Sequence, residues 1–518
     1  MESPVTELTD VIEIAGPDFS CRVVADFADA LGPLLESSSP EAWPGLEQIK
    51  SSTVRQISRG ELAVADGVVL PVHLKLYRAA QLSDRARDVV RGSKSGREFD
   101  NLREARRRGL PCIEPIATGV FTGSFGSRSF LLTRTEPGVS LEQGPLAAER
   151  ADRAGALLRQ CHDAGLHADD LHAANLLERP DGGLVLLDLT SAALSSALSL
   201  EQRAQGLAYF CRGLDGSVLD PAARPLVESY GASPACVAKA AQHGARLRYR
   251  GLSAFGRRAF RACSHTALDH RPKAPRWYLH RPAEDAHAAA RAMIADPPGP
   301  AKSGRRGSVH FSDELVLKDR TAAAARRLFR ASYWLSYAGV PCPTPVALWT
   351  WLRRGRVVSQ RVDGLTLAAE VEAGMSPAGM VDAARRLGRS VGRMHAHGLR
   401  NRDMKFENLM RDPASGDVLM VDLDGVRRKL PGDRRGQAAD LGRLLAAYRA
   451  AGEPGGRVVR FAFLRGYSRA RTCLLQPPIT RHLMRLTAAR AAAWASAHPD
   501  VQASPASSAP DGGGSSAG

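Results

Sequence analysis

The sequence predicts an α+β protein built from two tandem, two-lobed copies of one domain, and three observations carry that expectation. A block over 162–176, HDAGLHADDLHAANL, is answered by HAHGLRNRDMKFENL over 395–409, displaced by 233 residues without a gap. Each block leads through a polar turn into an apolar strand that ends in an aspartate, Asp188 or Asp422. Upstream, GLPCIEP (109–115) is answered by GVPCPTP (339–345), and Lys75 in an apolar strand is answered by Lys318. The order of these blocks is preserved while the displacement drifts from 230 to 243 residues, as loop insertions between two copies would produce.

Taken along the chain, residues 1–48 read as an N-terminal extension and 49–263 as the first copy. Within it, residues 68–77 are rich in apolar and β-branched side chains and predict a strand carrying Lys75. Residues 94–108 predict a helix stopped by Gly109, in which Glu98, Leu102 and Ala105 share one face by their i, i+4, i+7 spacing. Residues 145–164 predict a second helix, with Pro145 just inside and Gly165 just beyond it. His162 and His395 fall at helix ends and read as packing or capping groups. The polar, proline-marked stretch 264–275 reads as a linker, 276–495 as the second copy, and the Ser/Gly/Pro-rich 496–518 as a disordered tail.

Composition narrows the class. The 518 residues are 44% hydrophobic and 24% charged, typical of a soluble globular chain. No apolar run approaches the roughly 18 residues that span a bilayer, and the acidic start MESPVTELTD does not resemble a secretory signal. The eight cysteines are scattered, with no CxxC pair, which excludes a local zinc knuckle and suggests reduced thiols. A cytoplasmic protein is expected. The net charge of +17 is uneven, −2 over residues 1–260 and +19 over 261–518. Such a field attracts anions, so peripheral contact of the second half with an anionic inner membrane is expected, and nucleic acid is not. Arginine-biased composition explains the charge equally well, since only nine residues are lysine; the clusters at 305–306, 353–356 and 427–429 ordinarily read as solvated faces.

The repeated triplets Asp170/Asn175/Asp188 and Asp403/Asn408/Asp422 carry the chemistry. A carboxylate followed five residues later by an asparagine, with a second carboxylate at a strand end, supplies hard oxygen ligands for Mg²⁺. The first aspartate is left to orient a hydroxyl and take its proton, and the strand lysine to neutralise nucleotide phosphate. Phosphoryl transfer needs this combination of positioning and charge compensation.

These residues resemble the protein-kinase-like fold, two tandem bilobal domains of it, and in particular the lipopolysaccharide core kinase (Kdo/WaaP) family. The resemblance is carried by the E-x-x-x-L helix at 98–102 leading to the 109–115 block, and by VDLDG at 421–425. It implies that Asp403 and Asp170 are catalytic bases; that Asn175, Asp188, Asn408 and Asp422 are metal ligands; and that Lys75 and Lys318 bind the nucleotide. Glu98 would anchor Lys75, and Lys405 would steady the γ-phosphate, with His172 in the same slot of the first copy. ATP and Mg²⁺ are the implied cofactors, and an anionic sugar or glycolipid the implied acceptor.

Each copy departs from the pattern somewhere. Neither has a clear G-x-G-x-x-G; Gly60, Gly304 and Gly307 are the candidates for a phosphate-covering loop. The first copy has Ala168 and Asp169 before the base, and Gly206 where the second has Asp440. The second copy has Leu328 opposite Glu98, predicted to point inward as an apolar plug. The expected function is an ATP- and Mg²⁺-dependent kinase acting on a sugar hydroxyl. The second copy is the favoured catalyst because it keeps Arg402, Lys405 and Asp440, and one copy could be inactive. A tandem pseudokinase scaffold and a protein Ser/Thr kinase are the alternatives.

Overall fold

The computed structural model describes residues 9–37, 40–51, 55–64, 67–78, 92–123, 126–143, 147–213, 218–219, 221–271, 273–305, 307–429, 433–470, 485–493 and 496. Pro145, Arg306 and all but one residue of the expected tail lie outside them. The chain divides into two compact units, Met1–Gly244 and Ala245–Gly518.

The first unit runs β1 (Val11–Gly16), β2 (Phe19–Val24), α1 (Ala28–Ser37), β3 (Glu47–Ser51), β4 (Arg55–Ala63), β5 (Val69–Arg78), α2 (Lys94–Arg107), β6 (Pro115–Gly123) and β7 (Gly126–Arg134). There follow β8 (Val139–Ser140), α3 (Ala148–Asp163), β9 (Leu166–Ala168), β10 (Leu176–Glu178), β11 (Leu184–Leu186), β12 (Ala192–Leu194), α4 (Leu200–Gly213), α5 (Arg224–Tyr230) and α6 (Pro234–Arg258), whose last turns belong to the second unit. The second unit continues with β13 (Thr266–Asp269), β14 (Arg276–His280), α7 (His287–Ala295), β15 (Lys302–Gly304), β16 (Gly307–Phe311), β17 (Leu315–Thr321), α8 (Ala322–Tyr337), β18 (Pro345–Trp351) and β19 (Arg354–Gln360). It ends with α9 (Leu367–Glu372), α10 (Pro377–Ala396), β20 (Leu399–Asn401), β21 (Leu409–Arg411), β22 (Val418–Met420), β23 (Val426–Arg428), α11 (Arg434–Ala450) and α12 (Gly456–Ala470).

Each unit carries one antiparallel seven-stranded sheet. The orders are β1-β2-β6-β7-β5-β4-β3 and β13-β14-β18-β19-β17-β16-β15, the same when the strands are matched in sequence order. Lys75 sits in β5 between Ile57 of β4 and Leu131 of β7; Lys318 sits in β17 between Val309 of β16 and Val357 of β19. Both lysines are thereby held in the middle of a sheet by ladders on either side.

The helix behind each lysine strand is fixed at both ends. Ser93 Oγ caps α2 by accepting from the Gly96 amide, and Thr321 Oγ1 caps α8 by accepting from Ala324. Gly109 and Gly339, with φ of 75° and 61°, turn the chain out of these helices in the left-handed region that favours glycine. The predicted inward face of α2 is observed: Glu98, Phe99, Leu102 and Ala105 are all buried. Leu74, Ile116, Phe130 and Leu132, on the strands that α2 packs against, are buried as well.

Three expectations about boundaries meet a different arrangement. The described part of the expected extension 1–48 is not separate, because β1 and β2 extend the first sheet through β6 and Glu47 opens β3. Segment 264–275 contributes β13 to the second sheet, with Thr266 buried and hydrogen-bonded to the Tyr333 hydroxyl at 2.7 Å. The chain instead divides after Gly244, inside α6. Among the described residues no helix is long and apolar enough to cross a membrane, and seven cysteines are free.

Candidate active site

In the first unit the sheet, α2 and the loops after β9 and β11 bring the predicted residues together. Lys75 Nζ donates to Glu98 Oε1 at 2.5 Å and to the Leu187 carbonyl at 3.3 Å, beside Asp188. Glu98 is fully buried; its second oxygen accepts from the Tyr77 hydroxyl at 2.6 Å and the Thr190 hydroxyl at 2.9 Å. Thr190 also lies within 2.8 Å of Asp188 Oδ1, so α2 and the Asp188 loop meet at one hydroxyl. Arg55 approaches the other Asp188 oxygen at 3.3 Å.

Asp170 follows β9, and the 3₁₀ turn Ala173–Asn175 sends Asn175 back over it: Asn175 Nδ2 donates to the Asp170 carbonyl at 3.1 Å. The Ser191 hydroxyl donates to the Asp170 carboxylate. His172 precedes this turn and is half-buried.

The second unit reproduces the loop and alters its surroundings. Asn408 Nδ2 donates to the Asp403 carbonyl at 3.1 Å, the distance found in the first unit. Asp403 N donates to Asn401 Oδ1 at 3.1 Å. Lys405 is exposed at the start of the turn Phe406–Asn408. Leu328 is buried as predicted and lines a cavity of about 40 Å³ with Lys318, Val357, Ser359 and Leu423. Lacking a helix glutamate, Lys318 donates to Asp422 Oδ1 at 3.1 Å. Asp440 is buried beneath the loop, accepting from Arg400 at 3.1 Å, from the Asn401 amide at 3.1 Å, and lying 3.4 Å from His395. In the first unit Gly206 leaves that space to His162, since a Cβ there would fall 2.5 Å from His162 Nε2. Both histidines are buried packing groups, bonded to the Tyr230 and Tyr467 hydroxyls at 2.7 and 2.9 Å.

Electrostatics mark the two strand-end aspartates. Burial pushes the Asp188 carboxyl up, yet the Lys75 charge, the two Thr190 bonds and Arg55 outweigh it and hold it below the usual carboxylate range. Asp422 behaves alike: burial is outweighed by Lys318, the Asp424 amide and Arg320. Each cleft therefore keeps an ionised oxygen donor next to an amine.

The donor set fits Mg²⁺. Among the described residues no cluster of three or more His, Cys, Asp or Glu side chains forms a closed metal cage. A carboxylate plus the asparagine amide oxygen, whose nitrogen is already used, leaves the remaining positions for phosphate and water, as Mg²⁺ prefers.

Two phosphate-loop candidates sit at the β15–β16 turn: Gly304 and Gly307 pair across it. Gly60 is in mid-strand opposite Val72, where a Cβ would meet the Gly45 carbonyl at 2.7 Å, so its smallness serves packing. The basic clusters are partly spent internally, with Arg354 and Arg356 on Asp319 at 3.5 and 3.1 Å. Sequence reasoning missed Tyr77, Thr190 and Ser191 in the first cleft, and Arg320 in the second. Tyr77 and Arg320 stand two residues after the strand lysines, so strand alternation put them on the same face.

Residues 46–212 match the family model of the lipopolysaccharide kinase (Kdo/WaaP) family, a family of phosphotransferases. No protein of curated function matches the chain. Similar solved structures include the Rv3197–erythromycin complex from Mycobacterium tuberculosis, 18% identical over 34% of this chain and 54% of that one, with a TM-score of 0.23. The bifunctional kinase-methyltransferase WbdD is 14% identical over 35% and 47%, with a TM-score of 0.25. Aminoglycoside-3'-phosphotransferase of type VIII is 18% identical over 40% and 98%, with a TM-score of 0.28. The chain spans about half the length of the first two, and scores of this size support no argument about chemistry.

Proposed function

We propose that this chain is an ATP- and Mg²⁺-dependent phosphotransferase of two tandem protein-kinase-like domains, phosphorylating a hydroxyl on a lipopolysaccharide-core-type sugar. The observation that carries the reading is the Lys75–Glu98 pair beside Asp188, inside the segment that matches the lipopolysaccharide kinase family. The shared strand order of the two sheets and the identical Asn-to-Asp bonds of the two loops support the tandem arrangement.

The first unit is assigned the reaction, a reversal of the preference drawn from Arg402, Lys405 and Asp440. Asp440 supports the loop from beneath and Arg402 and Lys405 are exposed, whereas an anchored lysine sets where phosphate charge is received, and only the first unit has Glu98 for that purpose. MgATP, when bound, supplies the transferable phosphoryl group and the cation that offsets its charge. Asp188 and the Asn175 amide oxygen would hold the cation, and Lys75 would neutralise nucleotide phosphate. Asp170 would orient the acceptor hydroxyl and take its proton, exchanging its bond to Ser191 for one to the acceptor. The +19 charge of residues 261–518 supports an anionic glycolipid acceptor and peripheral contact with the inner membrane.

A nucleotide-binding scaffold without turnover is the second reading. It is favoured by the side chains already seated on Asp188 and Asp170, Arg55 and Ser191. Labelled phosphate transfer from MgATP to a deacylated core oligosaccharide separates the two. Transfer by the intact chain and its loss in Asp170→Asn is the expected result; MgADP binding with no transfer to any sugar would leave the scaffold.

A further inference from the structure

We infer that Arg320 and Asp424 form a latch in the second cleft that replaces the missing helix glutamate, anchoring the metal-binding loop to strand β17 instead of to a helix. The inference rests on reading both clefts as nucleotide sites.

In the first cleft Glu98 is a hub. It receives Lys75 and Tyr77 from β5 and Thr190 from the Asp188 loop, so strand, helix and loop meet on one carboxylate. Three members of that hub differ together in the second cleft. Arg320 stands at the position of Tyr77, Leu328 at that of Glu98, and Asp424 at that of Thr190. The negative charge lost from the helix reappears two residues after Asp422, and a positive charge appears two residues after Lys318.

These two new charges meet. Arg320 Nη2 lies 3.3 Å from Asp424 Oδ2, with 8% and 17% of the side chains exposed. Its Nη1 donates to the Ser308 and Asp319 carbonyls at 3.0 and 2.9 Å, which fixes the guanidinium against the sheet. Either charge alone would be poorly solvated here; together they are paired. The pair also sets the turn that matters: the Asp424 amide donates to Asp422 Oδ1 at 3.2 Å. Holding Asp424 on β17 therefore holds Asp422 beside Lys318. The first metal loop is tied by its polar contacts to α2, whereas the second, which meets α8 through apolar side chains such as Leu328, is tied by its ion pair to the sheet. Leu328 is thus part of a rewired site and not by itself a mark of a dead one.

The test uses the full chain with Asp188→Ala, which removes the first cleft's metal ligand, and titrates MgADP and metal-free ADP by calorimetry. Arg320→Gln and Asp424→Asn are each expected to weaken MgADP by about tenfold or more, with a smaller effect on metal-free ADP. A triple variant, Arg320→Tyr with Leu328→Glu and Asp424→Thr, installs the first cleft's layout and is expected to bind MgADP like the parent, a recovery that a merely structural role would not give. MgADP affinity unchanged in the single variants, or a folded triple variant as weak as they are, overturns the latch while leaving the nucleotide site. Absence of any MgADP binding in the Asp188→Ala parent overturns both.

Discussion

Glu98 accepts the Lys75 ammonium at 2.5 Å while none of its own side chain is exposed. A carboxylate so fully desolvated persists because three donors, Lys75, Tyr77 and Thr190, surround it. Glu98→Leu, which copies the second unit's residue without its compensating pair, removes the acceptor of the Tyr77 hydroxyl and the counter-charge of the amine, while Thr190 keeps Asp188. A loss of about 3 kcal/mol in denaturant unfolding is expected. Phosphate transfer should fall about 100-fold, as misplacement of an anchoring group by an ångström can cause. Activity within twofold of the parent would mean that Lys75 needs no anchor.

Ser191 occupies the position that Gly425 holds in the second unit, and its hydroxyl lies on the Asp170 carboxylate. With Asp170 as the proposed base, the acceptor would displace it. Ser191→Ala is therefore expected to lower KM for the sugar severalfold with kcat little changed; a collapse in kcat instead would make Ser191 a positioning group for the base. The reciprocal change, Gly425→Ser, has no room, because a Cβ there would lie 2.3 Å from Asn401 Oδ1 and 2.9 Å from the Asp403 amide. Its melting temperature should drop.

His162 offers a test of the first unit's interior by pH. Burial, followed by the charges of Arg203 and His167, pushes its pKa down to about 3. An unfolded histidine ionises near pH 6.5, so between about pH 6.5 and 3 the unfolded chain binds the extra proton. Stability from this residue is complete above pH 6.5 and declines as the pH falls, by about 2 kcal/mol at pH 5. Denaturant unfolding at pH 7.5 and 5 should show a smaller difference in His162→Phe than in the parent. An identical difference in both would show that His162 is accessible to protons in the folded chain.

Gly206 is expected to resist restoration of a buried aspartate. Gly206→Asp places Cβ 2.5 Å from His162 Nε2, a ring already tied to Tyr230. Overpacking of this kind costs about 1–3 kcal/mol. A stabilised Gly206→Asp variant, read from its melting curve, would show that His162 can move aside as His395 does beside Asp440.

The long-range features were legible where they rest on periodicity and repetition. The Glu98 face of α2, the burial of Leu328 and the approach of Asn175 and Asn408 to their aspartates all followed from spacing. Boundaries were not, because polar segments such as 264–275 can still be strands: Thr266 is buried only because Tyr333, 67 residues away, supplies its partner. The hub around Glu98 was half legible for the same reason. Tyr77 is visible as the same-face neighbour of Lys75, but Thr190 meets Glu98 through a loop whose path no local pattern reports.

The central claim is that phosphoryl transfer takes place in the first cleft, and Asp188→Ala measures it most directly. Transfer of labelled phosphate from MgATP to a core oligosaccharide should fall at least about 100-fold in this variant, while Asp422→Ala, assayed alongside, keeps most of it. Transfer at the parent rate by Asp188→Ala would contradict the account.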